Sequence, residues 1–450
     1  MTSIDGRISD ARGLQQAPRR AGTMNLGVSW SSLALAAVMA LGISACDLEL
    51  TNPNAPTEEA VITDRDGLLA VAVGMQGQFA QAIDDYMVTN SLVTDEWGTQ
   101  TKALISYQSL LTGQNFDRSY GVVEAPWAAS YSVIKSANTV LAGADQVELG
   151  AGLRAGTMAL AKLFKAMAYG MLIQQYEKVP VVMTTGGSIP QTRAVALDTI
   201  LTLLESARAD VANVSDADLA GFRARVAGTG FDLRNMIDAM LARYYLMAAR
   251  YTDAVTASDR VSRTILSVLS YPTPSRNPIE NLAFQLGYVA GLRSFVTQAE
   301  SGDRRPAYWL NTAIAGPKGN PDSLLVFLRK YSTPDAAFPL YLPDEMKLIK
   351  AEAYARTNQL VPALVLVNEV RTQTSSSIDE PVAGLPPIVL ATQAEILAEI
   401  ARQRRYELYE QGLRWEDTRR FGTAVTTAPT VTWLPIPQQE CDVNPANPCG

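Results

Sequence analysis

Between Arg402 and Gly422 the chain reads RQRRYELYEQGLRWEDTRRFG, and this stretch constrains the fold more than any other. Leu397, Ala401, Leu408 and Trp415 recur at spacings of four, seven and seven, so a continuous helix would line them up toward a core. Arg404 and Gly412 fall in or beside that apolar sector. An arginine there needs an acidic or carbonyl partner, because an unpaired buried charge is costly. The glycine lets another backbone come close. The outer face is expected to carry Glu410 with Arg414 and Glu416 with Arg420 as i,i+4 pairs. Gly422 supplies a stop.

The rest of the chain repeats the helical message. Asp66–Met87, Ala125–Val147, Leu153–Tyr176 and Thr199–Val211 carry apolar residues at helical spacing. Leu233–Ile265 and Asp344–Val370 read as helix-turn-helix hairpins with alanines where helices must approach, and resemble tetratricopeptide units. Between them lies an irregular insert, about residues 270–343, rich in Pro, Gly, Ser and aromatics. The expected class is all-α, with a loop-rich portion suited to a ligand and a curved helical wall suited to a protein partner.

The N-terminus is of another kind. Arg19 and Arg20 precede a stretch from Ala21 to Cys46 that holds no charged residue and ends in Ile43-Ser44-Ala45-Cys46. A basic region, an apolar core and small residues before a cysteine make a signal peptide over 1–45. The ending resembles a bacterial lipobox, which makes Cys46 the expected site of lipid attachment. The competing readings are a transmembrane helix, for which the core is short, and an ordinary secretory signal. Met24 is an alternative start. Residues 46–64 follow as a polar, proline-bearing tether, and 65–450 form the folded domain.

Composition excludes several classes. A formal net charge of −7 and no basic stripe argue against nucleic acid as a partner. The chain has no histidine and three cysteines, so the commonest general base is missing and a zinc site is not expected. With Cys46 acylated, Cys441 and Cys449 remain as an even pair. A disulfide is favoured at an extracytoplasmic address, with two free thiols as the alternative. Asp95 and Glu96 are neighbouring carboxylates, but glycosidic hydrolysis wants carboxyls on opposing sides of one bond. No phosphate loop, dinucleotide fingerprint, HExxH or GxSxG is present. No catalytic residue, metal or cofactor is expected.

The segment from Arg402, with WLPIPQQECDVNPANP after it, resembles the C-terminal signature of the SusD/RagB family of outer-membrane nutrient-binding lipoproteins. Arg404, Arg405, Glu407, Leu408, Glu410, Gly412, Arg414, Trp415, Asp417, Arg420 and Gly422 fill its first part. Pro435, Ile436, Pro437, Glu440, Asn444 and Pro445 fill the second. Gln411 is an extra residue between the glutamate and the glycine. Trp127, Tyr131, Ile134, Ala137, Asn138 and Leu141 are similar to a second family helix, and Leu153–Tyr176 to a third, with Lys165 and Glu177 departing from it. Asp303-Arg304-Arg305 and Lys330-Tyr331 resemble the segments that flank the family's variable insert.

The resemblance implies a lipid-anchored protein of the outer membrane, facing outward, that passes an oligosaccharide, or else a peptide, to a TonB-dependent SusC-like barrel. Sugar rings offer apolar faces for stacking, so Trp97, Tyr107, Tyr308 and Trp309 are the expected ligand contacts. Trp127 and Trp415 sit in helical stripes and are assigned to packing. The rival reading is a helical-repeat scaffold that organises envelope proteins without a nutrient ligand.

Overall fold

The structure is a computed structural model that describes residues 64–114, 117–182, 187–320, 324–423, 431–444, 446 and 449. All of them belong to one compact unit, Glu58–Gly450. The leader, Cys46 and all of the tether before Asp64 lie outside the described residues.

The body is helical. In chain order it holds α1 (Arg65–Gln81), α2 (Ile83–Val93), β1 (Trp97–Thr99), α3 (Ile105–Thr112), α4 (Gly121–Ala144), α5 (Ala151–Gln175), β2 (Lys178–Val179), β3 (Gln191–Thr192) and α6 (Arg193–Val211). Next come α7 (Leu233–Met247), α8 (Tyr251–Arg260), β4 (Val268–Leu269), β5 (Val289–Leu292), α9 (Arg305–Trp309), β6 (Leu310–Asn311), β7 (Leu325–Leu328) and β8 (Phe338–Pro339). The last are α10 (Pro343–Arg356), α11 (Leu360–Thr372), α12 (Gln393–Glu407), α13 (Arg414–Phe421) and α14 (Gln438–Val443). A few shorter helical turns need no label. No described helix is long and apolar enough to cross a membrane.

Helices pack mainly on their neighbours in sequence: α4 on α5, α5 on α6, α7 on α8, α10 on α11, with α8 on α10 joining the hairpins. Alternating small residues allow this. A Cβ on Gly170 of α5 would lie 1.7 Å from the Tyr244 hydroxyl of α7, so only glycine lets these two helices meet. One apolar core runs through the N-terminal helices and the insert, and a smaller one, of Ala351, Ala355, Ala363, Leu366, Val367, Ile396 and Ile400, joins α10, α11 and α12.

The expected all-α class holds, with two refinements. The Asp66–Met87 helix is divided at Ala82, which has φ −91° and ψ 1° and ends one helix as the next begins. Strands β5, β6 and β7 of the insert join β1, from the loop after α2, in a small antiparallel sheet of order β1-β5-β7-β6, with Gly98 facing Ala290 and Gly291 facing Val326.

The expected continuous helix through 402–422 is corrected. α12 stops at Glu407 and α13 starts at Arg414. Between them Glu410 and Gly412 have φ of 58° and 68°, left-handed values that a right-handed helix cannot contain. The added Gln411 lies between those two residues. Consequently Glu410 is not on an outer face with Arg414 but fully buried. Glu416 and Arg420 do lie 4.0 Å apart, in a nearly buried setting rather than on the surface.

Candidate ligand-binding site

Two of the four expected aromatic contacts turn inward. Trp97, in β1, is 0% exposed, and its indole N–H donates to Glu410 Oε1 at 3.0 Å. Trp309, at the end of α9, is also 0% exposed and donates to the Tyr406 carbonyl at 3.0 Å. Both are therefore corrected from ligand contacts to core anchors. The physical reason is that a large ring whose N–H is satisfied internally gains most by complete burial. Each fastens a loop-rich segment to the C-terminal signature, which spacing in sequence could not show.

Tyr308 is half-buried and committed. Its hydroxyl donates to Asp379 Oδ1 at 2.9 Å, Lys330 Nζ stands 5.3 Å from its ring centroid, and Lys330 in turn pairs with Asp379. Burial first, and then the Asp379 charge, push its hydroxyl well above the usual tyrosine range.

Tyr107 is different. It lies in the first turn of α3, its ring 5.5 Å from that of Tyr288 and tilted by 59°. A cavity of about 270 Å³ opens beside it, lined among others by Asp85, Val88, Leu104, Ser106 and Val122. α2 positions Asp85, α4 positions Val122, and the exposed Leu104 adds an apolar edge. Burial raises the Asp84 carboxyl to about 6, and burial together with the neighbouring Asp84 raises Asp85 to about 7. Near neutral pH the Asp85 carboxyl can therefore take either form, donating when protonated and accepting when ionised. An aromatic face, aliphatic walls, the Ser106 hydroxyl and the Asp85 carboxyl in one concavity suit a hydroxyl-rich ligand with apolar faces. Of these groups the sequence reading had named Tyr107 alone. Asp85 and Tyr288 were missed because they come from helix α2 and from the residue before β5, far apart in sequence.

A second concavity, of about 370 Å³, lies between α4 and the C-terminal segment, with Trp127, Tyr131, Glu124 and Glu440 in its lining. Trp127 is 6% exposed and meets Tyr176 edge-on at 4.9 Å, so it packs, as its helical stripe indicated, while also flooring this hollow. Its polar groups are largely used internally. Tyr131 donates to the Pro180 carbonyl at 2.8 Å, and Asn444 Nδ2 donates to Ser188 O at 2.8 Å and to Glu440 Oε1 at 2.6 Å. Nearby, Cys441 and Cys449 are joined by a disulfide, and Arg118 donates to the Cys449 carbonyl at 2.6 Å. For a ligand that must be held by hydrogen bonds, the Tyr107 cavity is the better candidate.

Comparison with known proteins agrees with the helical architecture. Residues 332–429 match the SusD family. A SusD superfamily protein from Bacteroides thetaiotaomicron superposes with a TM-score of 0.68 at 14% identity, over 85% of this chain and 99% of that one. A SusD-like carbohydrate binding protein from Bacteroides vulgatus gives 0.65 at 16%, over 81% and 85%. A SusD superfamily protein from Parabacteroides distasonis gives 0.64 at 17%, over 84% and 98%. No curated protein matches the sequence. Residues 332–429 thus carry the SusD-family match, and the body of helical hairpins has the fold of SusD-like proteins.

Proposed function

We propose that the protein is a cell-surface lipoprotein of the outer membrane that binds an oligosaccharide in the cavity beside Tyr107 and hands it to a TonB-dependent SusC-like barrel. The observation that carries this reading is a cavity, on a SusD-like frame, in which the Tyr107 ring, the Ser106 hydroxyl and the Asp85 carboxyl meet between aliphatic walls. One similar structure is a SusD-like carbohydrate binding protein, which supports the choice of a sugar over a peptide. Capture needs no bond-making: stacking on the ring and hydrogen bonds from Asp85 and Ser106 select the ligand, and release is reversible. Three acyl chains on Cys46 would hold the protein at the membrane more firmly than one.

A glycan array followed by calorimetry tests this. Tyr107→Ala is expected to weaken the best glycan about ten-fold. Asp85→Asn is expected to remove the dependence of affinity on pH around the Asp85 value of about 7. If no glycan binds at millimolar concentration, the scaffold reading takes its place. Cys46→Ser should leave the protein unanchored, and a pull-down from native outer membrane should recover a large barrel protein.

A further inference from the structure

Away from the Tyr107 cavity, three carboxylates from three different elements converge. Asp344 lies in the first turn of α10, Glu380 in the irregular segment after α11, and Glu407 at the last position of α12. They are 1%, 9% and 0% exposed, and one oxygen of each lies within 4.8 Å of the other two. Oxygens gathered that closely can all reach one calcium ion, whose bonds are about 2.4 Å long.

The cluster is only partly balanced by its neighbours, Lys347, Arg305 and, in the adjoining hollow, Arg263. Arg305 gives its close hydrogen bonds to Asp303, at 2.9 and 2.7 Å, and reaches Glu407 Oε2 only at 3.4 Å. Lys347 pairs with Asp344 at 2.5 Å and also donates to Gln373. Glu380 Oε1 accepts from Ser376 Oγ at 2.7 Å and Gln373 Nε2 at 3.0 Å. Its other oxygen, Oε2, and Glu407 Oε1 are buried without a hydrogen-bond partner. A buried carboxylate oxygen without a partner is costly. Either a proton or a cation can relieve that cost. Burial pushes all three carboxyls above their ordinary range, and Asp344 raises Glu380 and Glu407 further. A neighbouring hollow of about 460 Å³, lined by Asp344, Lys347, Gln373, Ser376 and Glu380, gives an ion and its waters a way in.

We propose that Asp344, Glu380 and Glu407 bind a calcium ion that ties the start of α10 and the end of α12 to the segment between α11 and α12. An all-oxygen set favours a hard cation over zinc, and three carboxylates suit calcium better than magnesium, which usually keeps several waters and takes one or two carboxylates. From the sequence no metal is expected, because there is no histidine, too few cysteines for zinc and no contiguous calcium loop. Carboxylates scattered over residues 344–407 carry no motif.

The full mature protein, stripped with EDTA and titrated with calcium chloride alone, tests the site. One site is expected, with Kd on the order of 10⁻⁴ to 10⁻³ M and a rise in Tm with calcium. Glu380→Gln, at the rim, should leave the metal-free circular dichroism unchanged and weaken calcium binding at least about ten-fold. Asp344→Asn serves as the second variant, and terbium luminescence competed by calcium reads the wild type directly. Absence of heat, Tm shift and terbium competition at about 10 mM calcium would overturn the proposal, as would unchanged affinity in both variants. In the first case the three groups share protons instead.

Discussion

Glu96 and Glu410 carry two carboxyl groups into the same buried region behind Trp97. Ser91 Oγ donates to Glu96 at 3.1 Å, and the Trp97 indole donates to Glu410. Burial raises Glu96 from 4.5 to about 7, against the pull of Arg414, and burial also raises Glu410, with the Glu96 charge adding to it. An acid whose folded pKa lies above its unfolded one stabilises the fold at low pH. That contribution is complete below about 4.5 and lost as the pH rises through about 7. Replacing both by glutamine keeps acceptors for Ser91 and Trp97 while removing the charges. Thermal melts from about pH 5 to pH 8 should therefore slope downward in the wild type and less steeply in the double variant, in which Asp84, Asp85 and the other raised carboxyls still titrate. Parallel slopes in the two proteins would contradict this assignment. Neither carboxyl was legible as buried: Glu410 sits in a run of charges that reads as a solvated helix face, and only the turn at Glu410 and Gly412 brings it inward.

At the scale of elements, local signals predict helices well and their junctions poorly. α12 begins with a capping box: Thr392 Oγ1 accepts from the Glu395 amide at 3.2 Å, and Glu395 accepts from the Thr392 amide at 2.9 Å. Thr392→Ala should cost about 1 kcal/mol, read as a lower midpoint in urea with an unchanged m-value. A change in m-value would instead point to partial unfolding of α12. The end of the same helix is set from outside. A Cβ at Gly412 would lie 3.3 Å from Met87 Sδ of α2, so the turn there fits against another helix as well as needing a positive φ. The sheet that the insert forms with β1 has no imprint in the sequence for a related reason. Strands of two to four residues, such as β5 and β7, are too short to display a period of two.

For the whole molecule, ion pairs fasten the C-terminal signature to the last hairpin. Arg404 Nε donates to Asp417 Oδ2 at 2.8 Å, and Arg420 donates to Asp417 Oδ1 at 2.7 Å and to both oxygens of Glu352 at 2.7 and 2.9 Å. α10, α12 and α13 thus meet through one network. Burial alone would raise Asp417, but the charges of Arg404 and Arg420 hold it below its ordinary 3.8. Its contribution is present above that value and disappears as the pH falls through the lower folded one. Asp417→Ala leaves two buried guanidinium groups short of a partner, and a loss of about 3–5 kcal/mol in chemical denaturation is expected. A loss under about 1 kcal/mol would mean that Glu352 alone satisfies Arg420.

The need of Arg404 for an acid was readable from its place in an apolar stripe, as were the helical class, the hairpins at 233–265 and 344–370, and the family signature. These depend on patterns within a few turns of one helix, where neighbours three and four apart share a face. Which acid answers Arg404, which aromatics stay near the surface, and which carboxylates meet were decided only by the packing of distant segments. Trp97 and Trp309 looked like exposed stacking rings until the C-terminal signature covered them. Asp85 joined Tyr107, and Asp344 joined Glu380 and Glu407, because helix ends and loops far apart in the chain converge in space. Burial, and with it the charge state and availability of each polar group, belongs to the assembled fold and has no local imprint in the sequence.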